Sequence, residues 1–159
     1  MDRGGCIIKN SGKIISINIS KKKGGKKKPV REVLINKYGI EGDGHSGDWN
    51  RQISLLSYES LKDVQDKGID ANPGDFAENI TTKGMDLNKI KMGDVLISGS
   101  KEEVKLEVTQ IGKDCPRPCR IYYLMGFCIM PEEGIFCKVV KPGKIKIGDS
   151  INHISFKKF

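Results

Sequence analysis

Two cysteines four residues apart, Cys115 and Cys119, stand among the cations Lys113, Arg117 and Arg120 in the stretch Gln110-Ile111-Gly112-Lys113-Asp114-Cys115-Pro116-Arg117-Pro118-Cys119-Arg120. Neighbouring positive charge lowers a thiol's pKa and raises its thiolate fraction, which is what a nucleophile or a metal ligand requires. Prolines on both sides of Arg117 make this a stiffened, exposed loop rather than a core strand. A structural zinc site commonly draws four ligands as two spaced pairs. The chain has no second such pair, and His45 and His153 are far apart in sequence, so a composite zinc site has little support. A transient redox disulfide is the other chemistry open to the pair. Elsewhere, Cys137 alternates with Ile135 and Val139 and is expected in the core, Cys128 has apolar neighbours, and Cys6 lies near the N-terminus.

A second stretch, Gly39 to Gln52, carries Asp43, His45, Arg51 and the only tryptophan, Trp49. Gly42, Gly44 and Gly47 formally satisfy G-x-G-x-x-G, but that fingerprint works only between a strand and a helix whose N-terminus meets a pyrophosphate. Residues Arg51 to Ser57 read as a strand, so the dinucleotide reading is rejected. Two alternatives stay open. Glycine lets backbone approach a ligand closely while Arg51 offers a bidentate fork to phosphate or carboxylate. Otherwise the segment is a long ordered turn whose arginine pairs with a local aspartate.

The third stretch is Asn72-Pro73-Gly74-Asp75-Phe76-Ala77-Glu78-Asn79-Ile80-Thr81. Glu78 and Asn79 offer acceptors and donors that suit a polar heterocycle, though turn capping uses the same residue types and spacing favours that role. No G-x-S-x-G elbow, P-loop or H-E-x-x-H is present, which counts against hydrolase, NTPase and metalloprotease chemistry.

The elements that must position these stretches are mostly strands. Apolar and polar residues alternate in Ile15–Ser20, Val104–Thr109 and Ile135–Val139, with shorter strand candidates at 53–57, 94–98 and 151–154. One helix is expected over Tyr58–Lys67, with Leu61, Val64 and Gln65 on one face and Gly68 as its stop, and a weaker helical turn over Arg120–Met125. Gly-Asp occurs five times, a pair suited to turns. Two copies sit in a near-repeat, Lys89-Ile90-Lys91-Met92-Gly93-Asp94 and Lys144-Ile145-Lys146-Ile147-Gly148-Asp149, as expected for equivalent corners of a pseudo-symmetric barrel. The fold class is mainly β, a barrel or sandwich with one or two short helices.

At 159 residues the chain fits one domain with a core that needs no disulfides. No apolar run approaches the roughly 20 residues of a membrane span. The N-terminus lacks a signal-peptide pattern, so a cytoplasmic protein with free thiols is expected. The net charge of +8 is local: residues 1–40 balance at +9 and the rest at −1. Six lysines of the run Lys21–Lys28 alternate only with glycine, without the aromatic partners of nucleic-acid platforms. They read as a solvated loop between strands, and nucleic acid is not the expected partner.

In this order the stretches resemble the MOSC domain family, the module at the C-terminus of molybdenum-cofactor sulfurases, in its stand-alone form. The matching pieces are Gly42-Asp43-Gly44-His45, Arg51-Gln52-Ile53-Ser54-Leu55, Phe76-Ala77-Glu78-Asn79, Gly84-Met85-Asp86-Leu87, Gly93-Asp94, Val108-Thr109-Gln110 leading to Cys115, and Gly148-Asp149. The similarity spans roughly residues 12 to 152 of a single domain. It implies a MOSC-like β-barrel, a molybdenum cofactor (molybdopterin) as ligand and a cysteine that ligates molybdenum or carries sulfur. Cys115 best matches the family cysteine, and Cys119 is an additional candidate. By the same match His45, Arg51, Glu78 and Asn79 line the ligand cleft, and Lys113 and Arg117 flank the cysteine. Ala77 departs from the family's frequent glycine.

A pyridoxal-phosphate desulfurase needs a much larger fold, so sulfur has to come from a separate cysteine desulfurase, or pass to a molybdoenzyme. The alternative is a non-catalytic binding module whose polybasic loop engages an acidic partner or nucleic acid.

Overall fold

Strand β1 (Asn10–Ile19) shows how local pattern and tertiary demand combine. Strict alternation would turn Ile15, Ile17 and Ile19 to one face. Instead, the pairing with β6 (Ile80–Lys83) shifts register between Ile14 and Ser16. This bulge changes the phase of the strand, so Ile14 and Ile17 are fully buried while Ile15 is only half-buried. A computed structural model of the protein describes residues 10–22, 26–99, 104–112 and 129–155. The weak helical turn expected over Arg120–Met125 lies outside the described residues.

Seven strands close into a barrel: β1, β5 (Ile53–Ser57), β6, β7 (Val95–Ser98), β8 (Val104–Ile111), β9 (Ile135–Lys141) and β11 (Ser150–Ile154). Hydrogen-bonded neighbours run β11-β7-β8-β9-β5-β6-β1, and β1 returns to β11 through pairs such as Asn10 with His153. The short strand β2 (Lys28–Val30) extends β1, and a separate three-stranded sheet comprises β3 (Glu32–Asn36), β4 (Gly39–Ile40) and β10 (Gly143–Lys146). The fold is therefore mainly β. Closure removes sheet edges and surrounds a core that includes Ile14, Ile17, Ile53, Leu55, Leu96, Leu106 and Ile151.

The β5–β6 pair is parallel, which requires a crossover connection, and α1 (Tyr58–Asp66) supplies it. Ser57 caps the helix by accepting from the Ser60 amide at 3.0 Å, and Gly68 lies just beyond its end with φ of +87°. Leu61 and Val64 bury its inner face against Leu56, Phe76 and Phe136. Burial of each such side chain contributes about 1.5–3 kcal/mol. A one-turn helix, α2 (Met130–Glu133), adds Met130 to the same cluster. Among the described residues no helix is long and apolar enough to cross a membrane.

The near-repeat forms two matching corners. In one, the Lys91 amide donates to Asp94 Oδ2 at 2.9 Å, while Gly93 N and Asp94 O bracket Val108 of β8, both at 2.8 Å. In the other, the Lys146 amide donates to Asp149 Oδ2 at 2.9 Å, and Gly148 N and Asp149 O bracket Ile14 of β1 at 2.7 and 2.9 Å. Both corners dock a turn onto the neighbouring barrel strand. Asp94 has additional work, accepting from Ser155 Oγ at 2.9 Å and lying 2.6 Å from Nε2 of the buried His153.

Ala77 has a φ of +67°, the one positive value among the described non-glycine residues. The left-handed conformation costs an alanine about 1 kcal/mol. Ala77→Gly is therefore expected to raise stability by up to about 1 kcal/mol, reduced by glycine's greater unfolded-state entropy. A higher urea midpoint with an unchanged m-value checks this.

Candidate functional site

Asp43 organises the glycine-rich segment between β4 and β5. Its Oδ1 accepts from the Ser20 amide at 3.0 Å and from Lys27 Nζ at 2.7 Å, and its Oδ2 accepts from the His45 amide at 3.1 Å. These contacts join the end of β1, the lysine-rich segment and the loop itself. The Lys27 and Asp43 side chains are both 0% exposed. Burial works to raise the Asp43 pKa. The Lys27 hydrogen bond and charge, with the Ser20 and His45 amides, outweigh it and hold the carboxyl below its ordinary value. For Lys27, burial prevails over the attraction of Asp43 and Glu78 and pulls the ammonium below its ordinary pKa.

This geometry corrects the reading of the whole lysine run as a solvated loop, because Lys27 is buried and Lys28–Val30 form β2. Of the two readings left open for Arg51, the pairing with a local aspartate is not found among the described residues. Asp43 has the larger need for a partner, being wholly buried, and Lys27 meets it. The sequence signal for Lys27 is slight: it directly precedes a short strand and lies sixteen residues from the carboxylate it serves.

Lys27 Nζ also lies 3.0 Å from His45 Nδ1. Trp49 Nε1 donates to the His45 carbonyl at 2.8 Å, and the two rings stand 7° from parallel with centroids 6.4 Å apart. The Arg51 guanidinium lies 4.7 Å from the Trp49 ring centroid and 6.0 Å from that of Phe136. Cation–π contact fixes the plane of the guanidinium while its N–H edge remains a donor. Among the described residues no carboxylate forms an ion pair with Arg51.

Gln52, almost wholly buried, holds the loop to the barrel. Its amide donates to the Gly47 carbonyl at 2.8 Å and the Lys37 carbonyl at 3.1 Å, and its oxygen accepts from Val139 N at 2.8 Å. At the other side of the loop, Asn50 Nδ2 donates to Gln110 Oε1 at 3.4 Å, and Thr109 Oγ1 donates to the Asn50 carbonyl. The Arg51 segment therefore sits on the end of β8.

Glu78 and Asn79 are 0% exposed and belong to the wall of the fold rather than to an open cleft. Asn79 Oδ1 accepts from Ser54 N at 3.0 Å, and its amide donates to the Asn18 carbonyl at 3.2 Å, tying β5 to β1. Glu78 Oε2 accepts from Gly74 N at 3.0 Å and Thr81 Oγ1 at 2.9 Å, whereas Oε1 has no partner. Burial is the main cause that raises the Glu78 pKa to about 7, against hydrogen bonds that favour its charged form. Gly74 is sterically required here: with φ of +90°, any Cβ would collide with the Lys27 carbonyl.

The structure thus brings His45, Trp49 and Arg51 together, with Lys27 and Asp43 beneath and Glu78 within electrostatic reach of Lys27. Lys113, Cys115, Arg117 and Cys119 lie outside the described residues. Cys137 is buried and unpaired, and burial pushes its thiol well above the ordinary value, as befits a core residue.

The sequence matches the MOSC domain over residues 42–152. The chain belongs to the MOSC domain family. This family is associated with molybdenum-cofactor functions. Among solved structures, the MOSC chain is similar to the YuaD protein from Bacillus subtilis, with a TM-score of 0.77 and 22% identity over 96% of this chain and 100% of that one. It is also similar to YiiM from Geobacillus stearothermophilus, with a TM-score of 0.71 and 22% identity over 91% of this chain and 75% of that one. For YiiM from Escherichia coli the values are 0.62 and 19%, over 91% and 70%. These likenesses establish the fold. No curated protein matches the sequence.

Proposed function

We propose that this MOSC domain binds a molybdopterin-type cofactor at the His45–Arg51 loop and handles sulfur or molybdenum through Cys115. The observation that carries this reading is the seating of Asn50 against Thr109 and Gln110. It sets the arginine segment on the strand end from which the chain runs on to Lys113, Cys115 and Arg117.

The residues present fit the anionic end of such a ligand. Arg51 has its plane fixed on Trp49 and no described carboxylate to neutralise it, and His45 stands beside the same ring. Glu78 and Asn79 fit less well as direct ring contacts, since their exposed area is nil; they support the loop from below. When bound, the cofactor supplies the metal-centred redox or sulfur chemistry. The chain's own part is to bind the phosphate through Arg51, orient it through His45, and offer the thiol of Cys115, which has the cations Lys113 and Arg117 as neighbours in the sequence.

In the sulfur-carrying form, the Cys115 thiolate attacks the terminal sulfur of a cysteine desulfurase's persulfide. A new sulfur–sulfur bond forms on Cys115, the donor's sulfur–sulfur bond breaks, and the donor cysteine leaves as thiolate. No external oxidant is needed. The donor and the accepting molybdoenzyme are separate proteins, and the reducing cytoplasm suits the exchange.

Intact-protein mass spectrometry after incubation with a cysteine desulfurase and cysteine tests the carrier step. The expected result is a reductant-sensitive gain of one sulfur in the wild type and none in Cys115→Ala. A gain kept by Cys115→Ala and lost in Cys119→Ala assigns the role to Cys119. No gain in the wild type overturns sulfur carriage.

A further inference from the structure

Three ionisable side chains are sealed beneath the glycine-rich loop: Lys27, Asp43 and Glu78. One can be a cation and two can be anions. The ammonium donates to Asp43 at 2.7 Å, whereas Glu78 reaches it only electrostatically. A second buried carboxylate without a hydrogen-bonded cation is costly where water is excluded. The cluster is electrically balanced when it also holds one proton.

The hydrogen bonds place that proton. Asp43 accepts from the ammonium and from two backbone amides, all of which favour its carboxylate form. Glu78 Oε2 accepts from Gly74 N at 3.0 Å and from Thr81 Oγ1 at 2.9 Å. The direction of the Thr81 bond is fixed by its neighbours. The Glu78 carbonyl can only accept, so the Asn18 NH2 faces it at 3.2 Å and also donates to Thr81 Oγ1 at 3.2 Å. Ser16 Oγ donates to Asn18 Oδ1 at 2.7 Å from the other side. Thr81 therefore directs its own proton at Glu78 Oε2. Oε1 has no partner among the described residues, and it is the oxygen that carries the proton.

We propose that Lys27, Asp43 and Glu78 form a proton-operated catch under the ligand loop. With Glu78 protonated on Oε1, Lys27 is held by Asp43 and the loop is fastened to β1. With Glu78 ionised, Oε1 competes for the ammonium and the fastening slackens. The lysine is placed for this exchange. Its backbone amide donates to the Gly74 carbonyl at 2.8 Å, and Gly74 N donates to Glu78, so its stem is anchored on the Glu78 side. Only its head crosses to Asp43. The other charged groups nearby are His45, facing the ammonium, and Asp75 with Lys26, which are partly exposed and 4.0 Å apart. The groups that β1, β5 and β6 bring to this network are neutral: Ser16, Asn18, Ser54 and Thr81.

The loop released by the catch carries Arg51, so the grip on an anionic ligand weakens as Glu78 loses its proton. Burial raises the Glu78 pKa to about 7, which puts the change near neutral pH. The effect on ligand rests on the cofactor-binding reading above; the catch does not.

Carbon-13 spectra of the side-chain carboxyls between about pH 5 and pH 9 test the catch. The Glu78 carboxyl should titrate within this range, and the Asp43 carboxyl and the Trp49 indole should shift with the same midpoint. In Glu78→Gln that component should vanish from both, leaving any titration that belongs to His45. A Glu78 carboxyl ionised throughout overturns the proposal. So do Asp43 and Trp49 signals that ignore the Glu78 midpoint, or that keep it in Glu78→Gln.

Cofactor release tests the effect on ligand. After expression in cofactor-replete cells, the wild type should lose molybdopterin several-fold faster at about pH 9 than at about pH 6, and Glu78→Gln at similar rates at both. The same pH dependence in the two proteins overturns the link to ligand. A wild type that acquires no molybdopterin overturns the cofactor-binding reading while leaving the carboxyl titrations standing.

Discussion

Lys27→Met is expected to cost about 3–5 kcal/mol of folding stability at neutral pH, because it leaves a buried carboxylate without its cation. Both side chains of the pair are 0% exposed, so water cannot take over the solvation of Asp43. The same change on an exposed ion pair such as Lys62–Asp66, whose side chains are 54% and 60% exposed, would cost roughly 0–1 kcal/mol.

The pH dependence identifies the cause. In the wild type the Asp43 pKa is lowered. Its favourable contribution is complete above the unfolded carboxylate value and is lost as pH falls through the lower folded value. Removing the Lys27 charge leaves burial as the chief influence, and Asp43 then takes up a proton more readily than in the wild type. The deficit of Lys27→Met should therefore shrink as pH falls through the weakly acidic range. Urea unfolding at neutral and acidic pH checks this; an equal deficit at both would assign the loss to packing. Adding Asp43→Asn should restore part of the stability, but not all, since asparagine keeps one acceptor oxygen and leaves either the Ser20 or the His45 amide facing an NH2 group.

Glu78→Gln is expected to stabilise the protein by up to about 3 kcal/mol above pH 7 and by little near pH 4. Burial raises the folded-state pKa of Glu78 from 4.5 to about 7. The native state therefore binds this proton more tightly than the unfolded chain. The associated stability is fully present below the unfolded value and is lost as pH rises through about 7. Glutamine carries no such linkage, and its carbonyl can still accept from Gly74 N and Thr81 Oγ1. Chemical unfolding across pH 4 to 8 should show the wild type losing stability relative to Glu78→Gln over this window. Parallel curves would rule out a raised Glu78 pKa. A wholly buried carboxyl with one oxygen unpartnered is a costly residue, and its electrostatic contact with Lys27 links it to the His45 site.

These two residues were read very differently from the sequence. Glu78 stood out through its neighbours, yet its burial was not visible, since nothing in Ala77-Glu78-Asn79 separates a carboxyl facing a cleft from one sealed in a turn. Lys27 was lost among five other lysines because composition averages over side chains that face opposite ways. Its role becomes visible only when Gly44, whose amide donates to the Ser20 carbonyl at 2.7 Å, brings the glycine loop against the lysine segment.

What the sequence determined by itself is what depends on neighbours in the chain. Period-two alternation marked the strands 104–109 and 135–139, and a short, mostly apolar run marked 53–57. Apolar spacing with Gly68 marked α1. The repeated Gly-Asp turns marked two corners that are alike in their hydrogen bonds, because glycine's positive φ and aspartate's acceptor oxygens act within four residues. The ordered motifs also marked the family. The tertiary structure alone decided the closure of β1 on β11, the bulge that turned Ile14 inward, the pairing of Asp43 with Lys27 and the stacking of Arg51 on Trp49 and Phe136. Each of these is a choice among partners that local sequence allows equally. The choice falls to whichever arrangement closes the barrel and leaves the fewest buried charges and polar groups unpaired.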